Sequence, residues 1–490
     1  MHDLHPASNL TARWVDRWRS DPTREVLRDV DGRALTAEQV LEETERIARG
    51  LRTTARDAGA RLLLVAGSDA RFVLTYVAAL RAGLTVVPVN PAYPEAEVVK
   101  IARAARPVAA VATGPQAGWL ASAGIRVLGT LPAGPEVPLD ATALDDTALL
   151  VYTSGTTGAP KGVPLSHGNL LASATAVGIA WRWTAEDRLL LALPLFHVHG
   201  LGVGIHGSLC AGACVLLRPG FDVADIAGSA PDATLFFGVP AMYERLTRAG
   251  RADALRTMRL IVSGSAPLPA TLAGAVAQAA GQVPLERYGM TETIMLTGNP
   301  YDGERRPGTV GFPFPGVDLR LSVDGGIEVR GPNVICGYAD APEATAEAFT
   351  ADGWFRTGDL GEIDDGGYLR IVGRSKELII TGGYNVMPRE VEEVLAAFPG
   401  VEDVAVVGRP SERWGEEVTA VVVPAVDTAA DPRRREDGGG AGERVTIDPD
   451  ALRAFAAERL APYKVPKRVE LATEIPRNAL GKIIRGRLSR

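Results

Sequence analysis

The chain has 490 residues, 46% of them hydrophobic and 23% charged, and a formal net charge of −7. That length exceeds what one hydrophobic core organises, so at least two domains are expected. The acidic balance argues against a nucleic-acid partner held by bulk charge, and Cys210, Cys214 and Cys336 form neither a metal-ligand nor a disulfide pattern.

The opening Met1-His2-Asp3-Leu4-His5 lacks the basic and apolar regions of a secretion signal, and a cytoplasmic setting is expected. Residues 61–66 predict a strand, 71–83 a helix and 85–89 the next strand. Alternation of this kind predicts parallel α/β sheets with crossover helices, which put ligand loops at the carboxyl ends of strands. Leu149-Leu150-Val151-Tyr152 predicts a buried strand that feeds Thr153-Ser154-Gly155-Thr156-Thr157-Gly158-Ala159-Pro160-Lys161-Gly162. This loop gathers backbone N–H groups, hydroxyls and an ammonium, the donors of a polyphosphate grip. It is not a Walker A loop, because Lys161 follows Pro160 and precedes Gly162. A polar surface turn is the plainer account of the same residues.

The apolar run 189–217 is broken by Pro194, by His197, His199 and His206, and by several glycines, which argues against a membrane span. It predicts a buried strand, a turn at Pro194-Leu195-Phe196-His197 and a buried helix. Leu260-Ile261-Val262 leads into Ser263-Gly264-Ser265-Ala266, whose small side chains leave room for a flat ring. A strand-to-helix turn capped by Ser265 accounts for it equally well. Leu285 leads into Glu286-Arg287-Tyr288-Gly289-Met290-Thr291-Glu292. An aromatic face, a hydroxyl and a carboxylate there suit a nucleoside, a phosphate oxygen and a magnesium ion.

From about residue 308 short β runs with glycine turns predict a β subdomain, which carries Thr357-Gly358-Asp359. After Gly373-Arg374-Ser375-Lys376 a fresh α/β pattern begins, with a helix over 390–397 and a strand over 404–408. The predicted organisation is therefore residues 1–373, a junction at 374–376, and 377–490. The charged, glycine-rich 427–442 is a surface insertion without assigned function. Gly382-Gly383-Tyr384 allows close backbone approach, and Lys482 follows a glycine turn near the C-terminus.

These segments, in this order, resemble the signature motifs of the adenylate-forming enzymes, the superfamily of acyl-CoA synthetases, luciferases and peptide-synthetase adenylation domains. The resemblance covers nearly the whole chain. It implies an α/β fold: a large N-terminal domain of parallel α/β sheets plus a β subdomain, and a small mobile C-terminal α+β domain. It also implies two chemical steps. A carboxylate attacks the α-phosphate of ATP, giving an acyl-adenylate and pyrophosphate; a thiol of coenzyme A, or of a carrier protein acting in trans, then displaces AMP. A nucleotide-binding regulator without chemistry is disfavoured, since it would need neither Lys482 nor Glu292.

By this resemblance Thr153, Ser154, Gly155, Thr156, Thr157 and Lys161 grip phosphates, and Ser263, Gly264, Ser265 and Ala266 wall the adenine. Glu286 and Tyr288 belong to the nucleotide site, Thr291 contacts the α-phosphate and Glu292 holds magnesium. Asp359 binds the ribose hydroxyls with Arg374 beside it, and Gly382, Gly383 and Tyr384 line the pantetheine tunnel. Lys376 is the hinge about which the C-terminal domain turns. Lys482 bridges substrate carboxylate and phosphate in the first step, where two anions must meet and repulsion must be offset.

His197 matches a gate between acyl pocket and thiol tunnel, while His199 and His206 read as packing residues or as supports behind the residues that touch substrate. Arg287 stands where the superfamily commonly has a small or apolar residue facing the acyl pocket. A guanidinium there needs an anion. A second carboxylate on the substrate would supply it by a bidentate contact; pairing with Glu286 or another protein carboxylate is the alternative. The surrounding motifs resemble the malonyl-CoA synthetase branch, and methylmalonate also fits. Another short-chain or aryl acid is the reading in which Arg287 is structural.

Overall fold

The computed structural model describes residues 9–55, 57, 59–129, 134–153, 161–426, 444–477 and 482–488. Ser154, Gly155, Thr156 and Thr157 lie outside the described residues, as do the 427–442 insertion and residues 478–481.

The chain divides into two compact units, Met1–Arg320 with Glu328–Arg356, and Leu321–Ile327 with Thr357–Arg490. The division therefore falls before the 374–376 junction expected from the motifs. The reason is local packing in the second unit. The strands Phe355–Ile363 and Leu369–Arg374 form an antiparallel pair. Arg389 donates to the Ile371 carbonyl at 2.7 Å, and Met387 packs over Gly373 so closely that a β-carbon there would meet its sulfur at 2.6 Å. The hairpin is thus tied to the segment around Met387 and Arg389.

The first unit holds two sheets. One runs in the order Ala109–Ala112, Arg61–Val65, Thr85–Pro88, Thr147–Thr153, Lys161–Ser166. Its first four strands are parallel, and the last returns as an antiparallel partner of Thr147–Thr153. Such strands are covered on both faces, and so read as near-continuous apolar runs: Leu62, Leu63, Leu64 and Val65 are all buried. The crossover helix Ala70–Arg81 starts where the Asp69 side chain accepts from the Phe72 N–H.

The second sheet places the site. Leu285–Tyr288, Leu260–Ser263, Leu235–Gly238 and Arg188–Leu191 lie side by side in it and run parallel. Their carboxyl ends therefore open on one edge. The four loops after these strands carry Tyr288-Gly289, Ser263-Gly264-Ser265, Val239 and the turn at Pro194. The expected helix after that turn begins as a π-helix, His199–Ile205, and becomes α-helical only over His206–Ala211. Its glycines permit close contact: a β-carbon on Gly200 would lie 2.5 Å from the Pro194 carbonyl oxygen.

In the second unit Tyr384–Val386, Ile379–Thr381, Gly415–Pro424 and Val401–Ser411 follow one another in a sheet, with Arg468–Leu471 parallel to Gly415–Pro424. Val391 and Leu395, from the helix Pro388–Leu395, and Leu452 and Ala456, from the helix Pro449–Ala457, join its core. Among the described residues no helix is long and apolar enough to cross a membrane.

Candidate active site

Arg287 sits near the end of its strand, and strand alternation sends Glu286 and Arg287 to opposite faces. The Glu286 carboxylate accepts from the Leu268 N–H and the Gly308 N–H, each at 3.2 Å. Glu286 thus anchors two loops and does not neutralise its neighbour. Arg287 is 6% exposed. Its Nε and Nη2 are buried without any hydrogen-bond partner, and no ion pair to it exists among the described residues. Burial without a counter-charge pulls the guanidinium down to about 9. The group lies flat on Gly264: a β-carbon there would be 2.2 Å from Nε and 2.4 Å from Cζ.

Two histidines share this corner. Burial and the Arg287 charge lower His197 to about 4 and hold His199 well below its ordinary value. Both are neutral at physiological pH. The His199 N–H donates to His197 Nδ1 at 3.2 Å. His199 Nδ1 is 3.1 Å from Ser265 Oγ, and its ring stacks on Phe237 at 6.4 Å and 18°. His199 Nε2 is buried and unpartnered. The sequence pattern reads His199 as a packing residue or a support for the site; the structure sets it beside Arg287. His197 lies in the same corner, linked to His199 and lowered by the Arg287 charge.

Elsewhere in the first unit, Tyr338 Oη donates to Glu292 Oε1 at 3.0 Å, and Lys161 Nζ lies 5.2 Å from the Tyr338 ring centroid. Burial and Glu292 push the Tyr338 phenol upward, so it remains a donor. Gly162 and Ala339 form a backbone bridge that joins the two segments. Sequence reasoning missed Tyr338, because one tyrosine in a loop carries no motif. Thr291 and Tyr288 are half-buried. Gly289 is required where it stands, since a β-carbon would meet the Ile294 carbonyl oxygen at 2.2 Å. Among the described residues no group of three or more His, Cys, Asp or Glu side chains could hold a metal alone. One carboxylate is what a magnesium ion shared with nucleotide phosphates needs, and Glu292 fits that part.

In the second unit, Asp359 and Arg374 face each other across the hairpin and pair at 2.8 Å. Lys482 belongs to the same neighbourhood: burial first, then Arg374, lowers its pKa, against Glu377 and Asp359, which raise it. Three residues on, Arg485 fixes the segment through Glu392 at 2.6 Å, Glu377 at 3.0 Å and the Val406 carbonyl at 2.9 Å. Gly382 and Gly383 both have left-handed φ, +57° and +83°. The Gly382 N–H donates to the Trp414 carbonyl at 2.8 Å, and Tyr384 stacks on Tyr463 at 4.5 Å. Lys376 lies in the one-turn helix Ser375–Glu377.

Residues 14–339 match the model of the AMP-binding enzyme family, and residues 390–482 that of the AMP-binding enzyme C-terminal domain. The chain is 37% identical to a feruloyl-CoA synthase of Amycolatopsis sp, over 97% of both chains. It is 34% identical to a malonate–CoA ligase of Arabidopsis thaliana, over 87% of this chain and 77% of that one. Among solved structures, ATP-bound MatB from Rhodopseudomonas palustris superposes with a TM-score of 0.90 at 36% identity, over 98% of each chain.

Proposed function

Because this chain belongs to the AMP-binding enzyme family, and is an AMP-forming acid–CoA ligase using ATP, magnesium and coenzyme A, we propose that the acid it activates is a short dicarboxylate, malonate or methylmalonate. One observation carries this reading: Arg287 is a buried guanidinium with two unpartnered nitrogens and no described protein carboxylate paired with it. The names of the relatives do not choose, since one acts on ferulate and another on malonate. The chemistry around Arg287 supports the dicarboxylate. A methoxyphenol offers no anion to a guanidinium, whereas the distal carboxylate of malonate matches its fork.

In this reading Arg287 fixes the distal carboxylate and leaves the other free to attack the α-phosphorus. Tyr288 and Asp359 hold the nucleoside, with Ser263, Gly264, Ser265 and Ala266 beside the adenine. Lys161 and Thr291 bind phosphate oxygens, and Lys482 bridges the attacking carboxylate and the phosphate as charge develops. Glu292 would hold magnesium, which when bound would supply further charge neutralisation. After pyrophosphate leaves, the thiol attacks the acyl carbon past His197, with AMP as leaving group. Gly382, Gly383 and Tyr384 guide the pantetheine arm, and residues 377–490 turn about Lys376 between the steps.

Pyrophosphate exchange with malonate, methylmalonate, succinate, butyrate and ferulate tests the assignment. Malonate or methylmalonate should give the highest kcat/KM. A preference for ferulate or butyrate would overturn it.

A further inference from the structure

Resting on the dicarboxylate reading, we propose that His199 is a second specificity residue: its Nε2–H donates to the same distal carboxylate that Arg287 binds. The structure leaves two kinds of polar atom orphaned in one corner, Arg287 Nε and Nη2, and His199 Nε2. Buried orphans of this kind call for a partner. Both residues lean on one turn. The Arg287 guanidinium lies on Gly264, and His199 Nδ1 is 3.1 Å from the Oγ of Ser265, the next residue.

In this proposal His199 takes the tautomer with its proton on Nε2, and the Ser265 hydroxyl is free to donate to Nδ1. A neutral imidazole has one donor and one acceptor nitrogen. When the Ser265 hydroxyl donates to Nδ1, the proton sits on Nε2, which becomes a donor aimed at whatever fills the corner. Ser265 adopts φ +68°, a left-handed conformation that a serine holds only when the surroundings fix it. The stack on Phe237 stops the ring from turning away. Burial and the Arg287 charge keep the ring neutral, so His199 adds direction without adding a second buried charge.

A carboxylate accepts about four hydrogen bonds. The guanidinium fork takes two, and a lone pair remains for the imidazole. An acid with a methyl group in place of that carboxylate satisfies neither residue, so the pair rejects monocarboxylates more strongly than Arg287 alone would.

The test compares kcat/KM for malonate and butyrate in the full-length protein carrying His199→Phe, Ser265→Ala or both, with Arg287→Ala alongside. Phenylalanine keeps the stack on Phe237 and removes both nitrogens. The malonate-to-butyrate ratio should fall about ten- to a hundredfold in His199→Phe, the size of one hydrogen bond to a charged group, mainly through KM for malonate. Ser265→Ala should lower the ratio less, and the double variant no further than His199→Phe alone. Equal losses for both acids, or additive effects, would make His199 a packing residue. If Arg287→Ala abolishes the preference and His199→Phe preserves it, this inference falls and the dicarboxylate reading stands. If the wild-type protein shows no preference for malonate, both fall. Should His199→Phe fail to fold by its thermal midpoint, Ser265→Ala decides: an unchanged ratio overturns the proposal.

Discussion

Arg287→Ala is the decisive perturbation, because burial without a described counter-charge sets its sign. In the free protein the guanidinium is held near 9 rather than its ordinary 12.5, by burial alone. At about 1.4 kcal/mol for each tenfold step, that gap is on the order of 5 kcal/mol of unrelieved charge burial. A bound distal carboxylate relieves it. Removing the arginine leaves that carboxylate buried alone, a loss on the order of 2–5 kcal/mol. The kcat/KM for malonate should therefore fall by more than about a hundredfold. Butyrate, of similar size but uncharged at that end, should lose little or gain, since a desolvated cation has gone. KM for ATP should stay near wild type, as Tyr288 and Thr291 are untouched. The assay is initial-rate pyrophosphate exchange with each acid varied at saturating ATP. A parallel fall for malonate and butyrate would refute the reasoning, because it would make Arg287 a support for the fold.

Gly264→Ala tests the same site without changing charge: its new β-carbon would lie 2.2 Å from Arg287 Nε. The displaced fork should lower the malonate-to-butyrate ratio at least about tenfold, one lost charged contact; an unchanged ratio would show the fork free to move. Lys482→Ala should abolish adenylate formation while sparing thioester formation from supplied acyl-adenylate, and Arg485→Leu should do so in part, since Arg485 holds the lysine's segment through Glu392 and Glu377. Equal loss of both half-reactions would contradict these roles. Burial lowers His167 to about 4 and His206 to about 3. With folded values below the unfolded 6.5, the unfolded chain binds more protons between them, so stability is present above about 6.5 and is lost as pH falls toward 3–4. Each should cost about 2 kcal/mol between pH 7 and pH 5. A urea midpoint that does not fall over that interval would contradict it.

How much was legible in the sequence depends on how local each feature is. The strands over 61–66 and 85–89 stand out because a parallel strand is buried on both faces and reads apolar at every position. The candidate nucleotide loops stand out in the sequence because the chemistry expected of them is contiguous there. The unit boundary was not, since it depends on Met387 packing over Gly373 and Arg389 reaching Ile371, contacts made only after folding. Tyr338 was invisible for the same reason. It meets Glu292 and Lys161 from 46 residues beyond the first of them.

Glu286 is the instructive case. Its adjacency to Arg287 suggested a pair, yet neighbours on a strand face opposite ways, and Glu286 turns to the N–H groups of Leu268 and Gly308. The period of two along a strand is by itself enough to disfavour the pairing. Once that carboxylate is removed from consideration, the cation has no described partner, and His199 beside it has a nitrogen with none either. An apolar side chain would fill the same volume without the desolvation cost. A fold that carries the charge at that cost is best explained by a ligand that supplies the missing anion, which in the proposed reading is the distal carboxylate of the acid that the ligase activates.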